Sequence, residues 1–144
     1  MAIWTNGGYK MVKKEKVKPI DPSSAKDYFI KATDFFEIME ISYSEGRWNA
    51  VGLNAVHCAI SSSDSLLAKN GGIRNISQDH KEAADILIKT VKGPDVKLHA
   101  DKLRKILGLK NLIAYERRLF TETDATNIIK PTRSFYKWTA NQLG

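Results

Sequence analysis

Few side chains in this 144-residue chain are suited to acid–base, metal or nucleophilic chemistry: three histidines, His57, His80 and His99, and one cysteine, Cys58. They are too scattered for the paired spacing of a zinc site. His57 and Cys58 are adjacent, so on a helix they point about 100° apart and do not easily share an ion. The expectation is no metal and no cofactor, with His57 a helix residue near the core and Cys58 a buried thiol. Asn70-Gly71-Gly72 reads as a helix stop, because glycine takes the left-handed cap without a Cβ clash, and not as a phosphate cradle.

Positive charge is the more abundant resource. The net charge of +7 is unevenly spread: residues 1–20 carry +4, residues 21–95 carry −3 and residues 96–144 carry +6. Lys102, Arg104, Lys105, Lys110, Arg117, Arg118, Lys130, Arg133 and Lys137 form the strongest binding set. Phosphate contacts of this kind give salt-sensitive, sequence-tolerant affinity for nucleic acid. An acidic protein is the other partner such a face suits, and the plain alternative is that these cations solvate exposed helix faces. Trp4, Trp48 and Trp138 read as core or interface residues, since single-strand readers line one groove with several aromatics.

The elements that must position these groups are helical. At 144 residues, 42% hydrophobic and 27% charged, the chain can bury one core without disulfide or metal. A lone cysteine points to a reducing compartment. Neither a signal peptide nor an 18-residue apolar run is visible, so a cytoplasmic protein without a membrane span is expected. Residues 1–20 read as a flexible basic tail, with Met11 an alternative start, and residues 21–144 as the folded domain.

Asp21-Pro22 marks a helix start. Ala25, Tyr28, Phe29, Ala32, Phe35, Phe36, Met39 and Tyr43 then follow at helical spacing to Gly46. A second helix, about 48–69, is rich in Ala, Gly and Ser and reads as the central one. Ser77 is the expected cap of a third, reaching about residue 91. A fourth starts near Asp95, carries Leu98, Leu103, Ile106 and Leu107, and is allowed to continue past Gly108 toward Phe120. Thr121-Glu122-Thr123-Asp124 offers a capping box for a fifth, which Pro131 should kink or split. The prediction is an all-α antiparallel bundle of about five helices, without a sheet.

In this order the segments resemble the HEPN domains, the higher-eukaryote and prokaryote nucleotide-binding family. The matches are Gly46-Arg47-Trp48-Asn49-Ala50 before the second helix, the small-residue run from Ala55 to Leu67, and Asp79-His80-Lys81-Glu82-Ala83 opening the third helix. Lys110-Asn111, Tyr115-Glu116-Arg117 and Arg133-Ser134-Phe135 complete them, over roughly residues 22–143. The resemblance implies a bundle that often forms a homodimer, here through the small-residue helix or the aromatic face. It also implies one of three functions: a metal-independent RNase, a non-catalytic module for RNA or a protein partner, or a toxin–antitoxin subunit pairing with a minimal nucleotidyltransferase.

Nuclease members carry an Arg and, four to six residues on, a His, which suits phosphodiester cleavage: the Arg grips the phosphate by forked hydrogen bonds and the His moves protons near neutral pH. At the corresponding place this chain has Lys110 and Tyr115, and a phenol with an ordinary pKa near 10 is a poor base at neutral pH. Arg74-Asn75 and His80 repeat the spacing elsewhere and are the alternative catalytic pair. The leading expectation is a non-catalytic module whose nucleic-acid-binding residues are Lys110, Asn111, Tyr115, Arg117, Arg118, Arg133 and Lys137.

Overall fold

The computed structural model describes residues 16–144, together with the backbone of a short antiparallel pair, β1 (Ala2–Ile3) with β2 (Val12–Lys13). Asp21 Oδ1 accepts from the Ser23 amide at 2.9 Å, and Pro22 opens a 3-10 turn that runs into α1 (Ala25–Ser44). A tight loop at residues 45–47 then reverses the chain. Gly46 turns it at φ +71°, a value that suits glycine, and the Arg47 amide donates to Ser42 O at 2.9 Å.

The returning helix, α2 (Trp48–Gly71), is central. Every other helix packs on it: α1, α3 (His80–Thr90), α4 (Val96–Leu107), α5 (Lys110–Tyr115) and α6 (Glu122–Leu143). The small residues explain this, because Gly52, Ala55, Ala59, Ser62 and Ser65 are all buried and let neighbouring side chains approach its backbone. At Gly52 an added Cβ would stand 2.8 Å from the ring of Phe120. Phe135, Met39, Leu66, Leu67, Leu103 and Ile106 are fully buried around it. The all-α bundle is therefore as expected, with five substantial helices and the six-residue α5.

Several expectations need correction. A sheet was not expected, yet β3 (Val17–Pro19) pairs antiparallel with β4 (Ile73–Asn75), Lys18 opposite Arg74. Three-residue strands are too short for a period-two pattern to reveal. What holds them is apolar burial, with Val17 and Ile73 each 2% exposed. The tail consequently ends earlier than residue 20: Lys16 forms an ion pair with Glu82, and residues 16–20 belong to the domain. Trp4 and the lysines at 10 and 14 lie outside the described residues.

The third helix is capped by Asp79, whose Oδ1 accepts from the Lys81 amide at 2.8 Å, while Ser77 Oγ accepts from the Asp79 amide just before it. The fourth helix stops at Leu107. On this helix Leu98 faces solvent, while His99 is buried and stacks 4.5 Å from Trp138. Pro131 leaves α6 unbroken, because Ile128, Ile129, Thr132 and Phe135 on either side are buried. The Thr121–Asp124 capping box is present as expected, with reciprocal bonds of 3.1 and 2.9 Å.

The surfaces expected to pair two copies are used inside the chain. The small-residue stripe of α2 is core, and Phe29 and Phe36 stack on Tyr136 of α6 at 5.3 and 4.2 Å.

Candidate functional site

Eight of the ten cations of residues 96–144 divide into two groups, while Lys102 and Lys110 donate to Ser134 and Gln78. Arg133 is clamped by Glu40 of α1, donating from Nε and Nη2 at 2.7 and 2.6 Å, and lies over the Tyr43 ring. Its guanidinium is held still more firmly protonated by that carboxylate. Arg118 is paired with Asp124 at 3.0 Å and Arg104 with Asp101 at 2.6 Å, and both carboxyls are pulled below the usual range, Asp124 chiefly by the Thr121 amide and Asp101 chiefly by Arg104. Among the described residues, Lys97, Lys105, Arg117, Lys130 and Lys137 are exposed and make no ion pair. Lys130 and Lys137 are seven residues apart on α6, so they share a face two turns apart.

Of the binding residues expected from the sequence, Asn111, Tyr115, Arg117 and Lys137 are thus open to solvent, whereas Arg118 and Arg133 are occupied by carboxylates. Tyr115, at the end of α5, is 78% exposed, which removes the desolvation and anchoring that a proton-transfer residue needs.

Lys110 and Arg74 meet elsewhere. They line a cleft of about 410 Å³ between α2, the strand β4 with the turn at 76–79 that follows it, and the start of α5. Register sets Arg74: Val17–Asn75, Lys18–Arg74 and Pro19–Ile73 pair, burying Ile73 and leaving Arg74 beside α2. The turn is held by Asn75 Oδ1, which accepts from the Ser77 amide at 2.8 Å. Lys110 is steadied by donating to Gln78 Oε1 at 2.8 Å.

Asp64 of α2 lies at the cleft's base, 4% exposed. Arg74 Nε is 3.6 Å from its Oδ2, beyond hydrogen-bonding range, and that buried N–H has no acceptor among the described residues. Burial pushes the Asp64 carboxyl up to about 6, since the pull of Arg74 offsets only part of the desolvation. The Arg74 side chain stays 40% exposed and lies over the Tyr28 ring.

His57, expected near the core, stands exposed on the wall of this cleft, its ring 5.2 Å from Phe35. His80 stands outside these walls, beside Gly108, so the Arg74–His80 pair does not share the cavity. The sequence reading missed Asp64 and the meeting of Arg74 with Lys110. Asp64 carried a signal, being the one ionisable carboxylate in the buried run of α2, where such a group is uncommon. Cys58 is buried as expected, and burial pushes its thiol up to about 12. His99 is pushed below the ordinary histidine value by burial first and by Lys102 second.

Comparison of the sequence with protein-family models finds no match, and comparison with curated proteins finds none either. Among solved structures the chain is similar to the protein TT1696 from Thermus thermophilus, with a TM-score of 0.62 at 15% identity, covering 83% of this chain and 98% of that one. At that identity the likeness concerns the fold alone. No helix among the described residues is long and apolar enough to cross a membrane.

Proposed function

We propose that this chain is a HEPN-like helical module that binds RNA without cutting it, through the unpaired cations of its C-terminal third. The observation that carries the reading is the set Lys97, Lys105, Arg117, Lys130 and Lys137, exposed and free of carboxylate partners among the described residues. Cations already neutralised by Asp or Glu release few counterions on binding phosphate, whereas these release them in full. Arg118 and Arg133 are structural on this reading, and binding falls to these five cations. A non-catalytic role is favoured over an RNase because His80 does not line the cleft that holds Arg74 and Tyr115 stands in open solvent.

Ile30, Ile38 and Ile41 of α1 are exposed and supply an apolar surface for the homodimer that the HEPN resemblance implies. Light scattering at micromolar concentration tests that part, a monomeric mass counting against it. RNA binding is tested by fluorescence anisotropy on a labelled single-stranded RNA with chelator present, and the recovered RNA is run on a denaturing gel beside a His80→Ala sample. Binding that weakens steeply with salt, with intact RNA, supports the reading. Cleavage that His80→Ala abolishes would instead support the Arg74–His80 nuclease. Failure to bind RNA at low salt would shift the basic face toward an acidic protein, such as the nucleotidyltransferase partner of a toxin–antitoxin pair.

A further inference from the structure

We propose that the cleft between α2, β4 and α5 is a binding site for a small phosphomonoester, with Arg74 and Lys110 as its anion-holding pair. This site is separate from the surface cations proposed to bind RNA and does not depend on them.

The argument starts from the arginine. Arg74 is fixed on three sides: by its strand register, by the Tyr28 ring, and by Asp64 behind its Nε. A guanidinium held this way is pre-organised and loses little freedom when it takes a forked pair of phosphate oxygens. The Arg74 side chain stays 40% exposed and lines the cleft. Asp64 offsets part of its charge from 3.6 Å but makes no hydrogen bond to it, so its N–H donors stay available to an anion.

Lys110 adds a second positive charge, held in place by Gln78, and His57 adds a third nitrogen-bearing side chain to the wall. Against them stand Asp64 at the base and Asp79, whose Oδ1 is engaged by the Lys81 amide. Two fixed cations suit a dianionic phosphate better than a carboxylate, which one arginine can satisfy. Ser63 and Ser77 also line the cleft and supply hydroxyls for the remaining oxygens.

The rest of the ligand follows from the other walls. Ile60, Ile76 and Leu107 give the cleft an apolar side, so the phosphate should carry an apolar or aromatic body. A volume of about 410 Å³ falls in the range of small-molecule sites, roughly 300–1,000 Å³, and is too small for a folded macromolecule.

Calorimetric titration of the full chain with phenyl phosphate, benzoate, inorganic phosphate and a short RNA without a terminal phosphate tests the proposal. Saturable binding of phenyl phosphate is expected, at least about tenfold weaker in Arg74→Gln and in Lys110→Gln, as loss of a charged hydrogen bond implies. Lys110 is half-exposed, so its variant folds even if the Arg74 variant does not. Lys137→Glu should leave phenyl phosphate binding unchanged, which separates this site from the RNA surface. No saturation with phenyl phosphate, or equal affinity in the Lys110 variant, overturns the proposal. Benzoate binding as tightly overturns the phosphate assignment, inorganic phosphate binding as tightly overturns the apolar body, and RNA displacing phenyl phosphate competitively overturns the separateness of the site.

Discussion

Replacing Asp64 by Asn should remove a specific pH dependence from the stability of this protein. In the folded chain the Asp64 carboxyl holds its proton up to about pH 6, against an ordinary value of 3.8 in an unfolded one. Between those values the folded state binds more protons than the unfolded state, so stability falls as pH rises through that window and levels off above it. The interval is worth about 3 kcal/mol at about 1.4 kcal/mol per pH step. His99 works the other way. Its folded value is depressed, so its contribution rises with pH up to its ordinary value of 6.5. The wild-type curve mixes the two effects, but the difference between variant and wild type isolates Asp64. Urea unfolding followed by circular dichroism at half-unit steps from about pH 4 to 7.5 gives that difference directly. The stability of Asp64→Asn relative to wild type should climb by about 3 kcal/mol between about pH 4 and 6.5 and then stay level. A difference that does not change across the range would mean that Asp64 is not buried beneath Arg74 as described, and the cleft would lose its base.

Gly52→Ala should destabilise the bundle by about 1–3 kcal/mol, because the new Cβ would meet Phe120 at 2.8 Å and Ile113 at 3.1 Å; thermal unfolding measures it, and an unchanged midpoint would contradict the close approach at α2. Cys58, buried with its thiol pushed up to about 12, should resist a disulfide-exchange reagent at about pH 8 in the native protein and react fully in denaturant; rapid native reaction would place it at the surface.

Local signals in the sequence carried the helices well. The Asp21-Pro22 start, the Gly46 turn, the small residues of α2 and the Thr121–Asp124 box each act within a few residues of themselves, so each was legible. The strand pair was not, because Val17 and Ile73 are apolar neighbours only once the chain has returned on itself. The inward turn of His99 and outward turn of Leu98 depended on where Trp138 of α6 lies, which spacing within α4 cannot express. The same holds for the site. Cation counts identified the basic third, but which cations are spent internally depended on Glu40 meeting Arg133 across two helices. Asp64 meeting Arg74, and Arg74 sharing a cleft with Lys110, are likewise long-range results of the β3–β4 pairing and the break at Gly108.

The most direct test of RNA binding by the exposed cations is a salt series. Affinity for a labelled single-stranded RNA should fall linearly on a double-logarithmic plot against salt, and the slope should shrink by about 0.7 for each of Lys130→Gln and Lys137→Gln, while Arg133→Gln, already bound to Glu40, leaves it unchanged. A slope insensitive to Lys130 and Lys137, or one that Arg133→Gln reduces most, would contradict the account.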